Sequence, residues 1–157
     1  MTLPTTACRL TRAPYADLSG YGAQRYGGRW NSPGRPAVYL STEAALPVLE
    51  VLVHLDLPPE LIPGDYVLMA IDLSMLPDEA DAVTDRRDLA PATADTRAAG
   101  DAWLAAGETP FLRVRSAIVA EASNLLLNPH HPAAHYLPEP TTRPFRFDPR
   151  LIDPSAR

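Results

Sequence analysis

Apolar residues recur at every second position between Tyr66 and Leu73, at Val67, Met69 and Ile71. They do so again between Leu112 and Ala120, at Leu112, Val114 and Ile118. This period of two predicts strands. The short apolar run Ala37–Leu40 predicts a third strand and Asn124–Asn128 a shorter one, while Phe145 and Phe147 mark a short terminal strand or an extended tail. After Leu40 the period changes. Leu46, Leu49, Glu50 and Val53 fall at i, i+3, i+4 and i+7, the inward stripe of a helix that runs to about Leu55. Ser41-Thr42 is placed to cap it, with Glu43 in a first turn where the helix dipole favours an acid. Pro47 moves the start toward Leu46, because proline is accommodated only in an opening turn. The stretch Asp78–Gly107 is acidic, alanine-rich and weakly patterned; it predicts one helix over Thr93–Ala106, with Gly100 counting against it. Ser19–Gly34 reads as a structured loop that Tyr21, Tyr26 and Trp30 can pack. Strands mixed with two helices, without regular βαβ alternation, predict an α+β fold. No repeat or long linker divides the chain, so residues 1–157 are expected to form one domain.

Two polar residues break the apolar faces. Glu50 lies on the inward stripe of the first helix, where loss of hydration is costly unless something pairs with it. An ion pair with an arginine explains it at least as well as a site does. His54, one turn later, is equally well explained as a satisfied structural histidine and is given no catalytic role. Ser116 is in phase with Leu112, Val114 and Ile118, where a neighbouring backbone group is enough to satisfy it. A serine hydrolase is excluded, since no GxSxG elbow surrounds Ser116 and no His-Asp pair accompanies it. The segment Tyr26-Gly27-Gly28-Arg29-Trp30-Asn31-Ser32-Pro33-Gly34 sets three glycines around an arginine and an asparagine. Glycines let backbone approach a ligand and arginine grips phosphate or carboxylate bidentately, so the segment is a turn or a ligand loop. Its spacing is neither that of a P-loop nor that of a dinucleotide-binding fingerprint.

Charge adds a direction. The net charge is −5, yet residues 1–42 hold five arginines (9, 12, 25, 29, 35) against the single acid Asp17. Such a chain is poorly suited to coat nucleic acid and better suited to focus one small anion, although a solvated basic loop explains the charge equally well. All fourteen basic residues are arginine, which excludes Schiff-base chemistry and a P-loop lysine. Cys8 is the one cysteine, and His54, His130, His131 and His135 lack ligand spacing, so no metal is expected. There is no charged start followed by a long apolar run and no window long enough to span a membrane, so a cytoplasmic location is expected.

At the glycine-rich loop the sequence resembles the RES-domain family, toxins of bacterial toxin–antitoxin pairs named for their Arg, Glu and Ser. The resemblance starts at Arg9-Leu10 and Leu18-Ser19-Gly20-x-Gly22-Ala23. It continues through Gly27-Gly28-Arg29-Trp30-Asn31-Ser32-x-Gly34 and Val38-Tyr39-Leu40-Ser41 to Ala45-Leu46-x-Val48-Leu49-Glu50-Val51-Leu52-Val53-His54. Val114-Arg115-Ser116-Ala117-Ile118-Val119 and Asn124-x-Leu126-Leu127-Asn128-Pro129-x-His131-Pro132 fill the later places. Pro47 stands where a helix former is expected, and residues 60–110 match no motif.

The resemblance implies a fold similar to ADP-ribosyltransferase toxins, a mixed β-sheet core with flanking helices and a cleft for NAD. It implies an Xre-like helix-turn-helix antitoxin that covers the cleft, with no direct contact to nucleic acid. The implied activity breaks the nicotinamide–ribose bond of NAD, by phosphorolysis or hydrolysis, or by ADP-ribosylation of a protein. NAD is then a substrate, with phosphate as a conceivable co-substrate, and no cofactor is needed. Arg29, Tyr39, Glu50 and Ser116 become the catalytic set. Glu50 would bond a ribose hydroxyl and stabilise an oxocarbenium-like charge. Arg29 would hold phosphate or ribose, with Arg9 as a second anion contact. Tyr39 would stack on nicotinamide or offer its hydroxyl, and Ser116 would orient Glu50 or ribose. Asn128 would support substrate through its loop. A catalytically silent module that binds antitoxin or nucleotide is the rival reading.

Overall fold

The computed structural model describes residues 3–76, 82–91 and 93–157. Among them are the strands β1 (Thr6–Arg12), β2 (Val38–Ser41), β3 (Tyr66–Asp72), β4 (Val83–Asp85), β5 (Phe111–Arg115), β6 (Ser123–Leu127) and β7 (Thr141–Pro144). The helices are α1 (Tyr21–Tyr26), α2 (Ala45–His54), α3 (Thr93–Ala106) and α4 (Pro149–Ile152). The seven strands form one sheet in the order β4-β5-β6-β2-β1-β3-β7. Its pairs are antiparallel except β4 with β5, which makes the sheet mixed. The fold is α+β, as the mixture of periods predicts.

The register shows what each face carries. Opposed residues of a pair share a face, as do alternate residues along a strand. Cys8 opposes Ser41, Ser41 opposes Asn124, and Leu126 opposes Leu112. One face therefore holds Leu10, Tyr39, Ser41, Leu126, Asn124, Leu112 and Val114. Trp103 of α3 packs on Leu112, Val114 and Leu126 at one end, with Trp30. Val48, Val51 and Leu52 of α2 pack on Leu10 and Leu68 at the other, with Phe147. Tyr39 and Asn124 lie between these two clusters. The opposite face buries Ala7, Val38, Leu40, Met69, Ile71, Phe111, Leu125 and Leu127 in the largest cluster.

Several elements depart from the sequence expectation. Helix α2 starts at Ala45 with Ala44 at its N-cap and no acid in its first turn, so Ser41 and Thr42 do not cap it and Glu43 precedes it. Their hydroxyls go to β6 instead, Ser41 Oγ to Asn124 Oδ1 at 2.9 Å and Thr42 Oγ1 to the Ser123 carbonyl at 3.0 Å. Pro47 is the third helical residue, where its missing N–H costs no hydrogen bond. Leu46 is buried, as its inward phase predicts, while the rest of the packed face is Val48, Val51 and Leu52, continued by Leu55 just past the helix. Leu49 and Val53 are exposed, Val53 at 63%. Glu50 is thus half-buried at the edge of the packed stripe rather than within it.

The segment expected as loop contains α1, and of its aromatics only Trp30 is buried; Tyr26 is 76% exposed. Strand β5 stops at Arg115, one residue before Ser116, so Ile118 is not a core residue. Strand β1 was hidden by its arginines. Its seven-residue pairing with β3 satisfies the backbone, while Arg12 grips Asp65 bidentately at 2.7 and 2.8 Å. The aromatic tail supplies β7 before Phe145 and then α4. Helix α3 matches its predicted span; the first residues of the stretch before it, 78–81, lie outside the described ones. Gly100 is where α3 meets the glycine-rich loop, since a Cβ there would stand 1.7 Å from the Trp30 carbonyl oxygen.

Candidate active site

The glycine-rich loop is held from inside by one asparagine. Asn31 is fully buried, and its Nδ2 donates to the carbonyls of Ala23 and Arg35, both at 2.8 Å. Its Oδ1 accepts the Tyr39 hydroxyl at 2.7 Å, and that hydroxyl accepts the Trp30 N–H at 2.9 Å. Gly28 has to be glycine here, because a Cβ would lie 2.4 Å from the Tyr39 hydroxyl. Helix α3 clamps the loop from outside. Thr96 Oγ1 donates to the Arg29 carbonyl at 2.8 Å and Arg97 Nε to that of Gly28 at 3.2 Å. Asp101 accepts the N–H and hydroxyl of Ser32. The backbone on both sides of Arg29 is therefore fixed. Its guanidinium, steadied by the Pro91 carbonyl at 3.2 Å, lines a cleft of about 390 Å³.

Tyr39 contributes more to this scaffold than the sequence suggests. Its hydroxyl is committed on both sides, leaving the ring to face the cleft. Burial is the largest influence on the phenol and its pKa is pushed up to about 12. Folding thus disfavours the phenolate. The associated stability is whole below the ordinary value of 10.0 and is lost as pH rises toward about 12. Tyr39→Phe should remove this alkaline loss and also cost about 1–3 kcal/mol at neutral pH, since Asn31 Oδ1 and the Trp30 N–H lose their partner. Thermal melts of both proteins from pH 8 to 12 check this.

Across the cleft, Glu50 is held by two donors. Ser116 Oγ and Asn124 Nδ2 both bond its Oε1, each at 3.0 Å. Ser116 is buried, and its oxygen accepts the N–H groups of Ile118 at 3.1 Å and Val119 at 3.2 Å. A hydroxyl has one proton and two lone pairs. The proton goes to Glu50 and both lone pairs are engaged, so Ser116 orients the carboxylate and is not placed to act as a nucleophile. Among the described residues, Glu50 Oε2 receives no hydrogen bond.

Three arginines, Arg29, Arg97 and Arg115, line the cleft with the one carboxylate of Glu50. The cleft is therefore cationic and suited to an anionic ligand. A second recess, of about 380 Å³, adjoins it, with Tyr39, Glu50, His54 and Asn124 lining both. It forms because β1 and β2 pair at one place, Cys8 with Ser41, and then separate.

Arg9 lines this second recess, but its Nη1 is turned to the carbonyls of Asp17 at 2.6 Å and Tyr15 at 3.2 Å. Burial lowers its pKa, opposed by the Asp17 charge. Arg29, Tyr39 and Glu50 thus line the cleft and Ser116 bonds Glu50 behind it, while Arg9 lies in the adjoining recess with its guanidinium turned away. Asn128 is not among them. It lies at the far end of β6 from Asn124, about 13 Å along the strand. There its Oδ1 caps a turn at the His130 N–H, 3.0 Å away.

Sequence reasoning missed Asn124, Arg97 and Arg115, and set His54 aside as structural; it is an exposed residue of the cleft wall. The detectable signal for Asn124 was its phase, two residues before Leu126 on a buried face. Among the described residues, no group of three or more His, Cys, Asp and Glu gathers as metal ligands. No described helix is long and apolar enough to cross a membrane.

The RES domain family model matches residues 6–148. The chain belongs to this family. A protein named Toxin Res from Yersinia enterocolitica is 40% identical over 139 residues, covering 85% of this chain and 89% of that protein. A protein of Sphingobium sp. named Prs ADP-ribosylating toxin is 37% identical, covering 87% of each. Among solved structures, that of the M. tuberculosis MbcT–MbcA toxin–antitoxin complex contains a chain of the same fold. The TM-score is 0.71 at 23% identity, with 95% of this chain and 87% of that one covered. The RES-domain match spans both walls of the cleft, from β1 through the loop of Arg29 and the helix of Glu50 to the turn of Ser116.

Proposed function

We propose that this RES-domain protein is the cytoplasmic toxin of a toxin–antitoxin pair and that it cleaves NAD between nicotinamide and ribose. The observation that carries this reading is the Glu50 carboxylate, anchored through one oxygen and open at the other, in a cleft that also holds the guanidinium groups of Arg29, Arg97 and Arg115. In the reaction the C–N bond to C1′ breaks and its electron pair leaves with neutral nicotinamide. The ribose then develops oxocarbenium character. Glu50 Oε2 accepts a ribose hydroxyl and stabilises that charge, at a carboxylate already oriented before substrate arrives. Arg29 and Arg97 bind the pyrophosphate as bidentate donors. The face of the Tyr39 ring packs against the nicotinamide. A phosphate oxygen then bonds to C1′ and gives ADP-ribose phosphate. Alternatively water bonds there, releases a proton and gives ADP-ribose.

Transfer to a protein acceptor is the second reading, favoured by the name of the Sphingobium relative. An antitoxin partner is supported by the toxin–antitoxin complex in which the structural neighbour occurs; that it is Xre-like and covers the cleft is our proposal. Purified protein incubated with NAD should release nicotinamide, and expression without the antitoxin should arrest growth. Faster release on adding phosphate indicates phosphorolysis, and label from NAD retained on protein indicates transfer. No nicotinamide under any of these conditions would sink the NAD reading and leave a silent binding module.

A further inference from the structure

We propose that Asn124 is a positioning residue for Glu50, and that Ser41 acts through it. This rests on the reading of Glu50 as the carboxylate that acts on NAD. Asn124 sits in β6 directly opposite Ser41 of β2 on one side and Val114 of β5 on the other. Its neighbours on that face, Leu126 and Val114, are buried apolar residues. Asn124 itself is half-buried at the cleft wall, where an amide set among apolar neighbours is costly unless its groups are used.

They are used in one direction only. Ser41 Oγ donates to Asn124 Oδ1 at 2.9 Å, and Asn124 Nδ2 donates to Glu50 Oε1 at 3.0 Å. With the amide turned over, Oδ1 would face the carboxylate, acceptor against acceptor. The charge on Glu50 therefore selects the orientation, and the Ser41 hydroxyl, able to donate or accept, donates to the oxygen turned toward it and holds the amide in place. The terminal torsion of a glutamate is soft. One donor leaves the carboxylate free to swing; two donors from different elements, Ser116 and Asn124, fix its plane.

Four variants test this: Asn124→Ala, Ser41→Ala, the two together, and Asn124→Asp. Losing a hydrogen bond to a charged group should lower kcat about tenfold or more in Asn124→Ala. KM for NAD should change less than about threefold, since the amide aims the carboxylate rather than holding substrate. Ser41→Ala should cost less, and the double variant should equal Asn124→Ala, because Ser41 has no other route to Glu50. In Asn124→Asp two carboxylates share the site, and close like charges resist joint ionisation. The acidic limb of its pH–rate profile should therefore move to higher pH by about one unit or more.

A kcat for Asn124→Ala within about twofold of wild type overturns the proposal, as do losses that multiply in the double variant or an unmoved profile for Asn124→Asp. If Asn124→Ala does not fold, Asn124→Asp and Ser41→Ala decide the matter, since each keeps part of the chain of bonds. If wild-type protein releases no nicotinamide, the NAD reading has failed. A crystal structure of Asn124→Ala then decides the positioning role. Glu50 displaced from Ser116 supports it, and Glu50 unmoved overturns it.

Discussion

Glu50→Gln should lower nicotinamide release by about 10²–10³-fold while the protein folds as before, because the change removes a charge and little else. Glutamine has the shape of glutamate, and its carbonyl oxygen can still accept from Ser116 Oγ and Asn124 Nδ2, which both bond Oε1 in the native protein. What disappears is the one negative charge of a cleft that otherwise carries Arg29, Arg97 and Arg115, the charge that in the proposed reaction faces the ribose. That charge matters little to ground-state NAD and a great deal to an oxocarbenium-like state, so the loss should fall on kcat with KM nearly constant. A thermal melt within about 2 °C of wild type would show that the effect is chemical, since surface and half-buried isosteric changes usually cost under 0.5–1 kcal/mol. A Gln variant as fast as wild type would remove Glu50 from the chemistry.

Glu50 also shows what kind of information the sequence held. Its place among apolar residues of a helix is visible, but of the apolar stripe inferred around it only Leu46 is buried: Val48, Val51 and Leu52 pack beside it, while Leu49 and Val53 are exposed. Two apolar stripes fit Ala45–His54 almost equally well by period. The sheet chooses between them by offering Leu10 and Leu68 to one of them. Strand β3 was legible because its apolar alternation is strong, whereas β1 carries Arg9 and Arg12 and owes its pairing to partners distant in sequence. The polar network was least legible. Ser41 looks like a helix cap and Asn124 like a strand end until β2 and β6 are laid side by side. Asn128, four residues further on, carries the same side chain, yet the length of the strand removes it from the cleft.

In the sequence Gly100 counts against a helix over Thr93–Ala106, and the structure makes it the point on which the arginine loop rests. Gly100→Ala should therefore destabilise the protein by about 3 kcal/mol, against the usual expectation for a helix interior, where alanine gains up to about 1 kcal/mol over glycine. The gain is overridden because the new Cβ would stand 1.7 Å from the Trp30 carbonyl oxygen and 2.7 Å from its carbonyl carbon. That neighbour is backbone and cannot rotate away, so the helix and the loop have to separate by more than 1 Å to restore van der Waals contact. Separation stretches the bonds by which α3 holds the loop, Thr96 to the Arg29 carbonyl and Asp101 to Ser32. It also opens the packing of Trp30 on Trp103 and Leu112. At the usual 2–4 °C per kcal/mol for a chain of this size, Tm should fall by about 6–12 °C. Activity should fall as well, in the opposite kinetic sense to Glu50→Gln. Arg29 would lose its fixed backbone, so KM for NAD should rise more than kcat drops. A variant that melts at or above the wild-type temperature would mean that loop and helix part without cost, and that the contact at Gly100 does not organise the site.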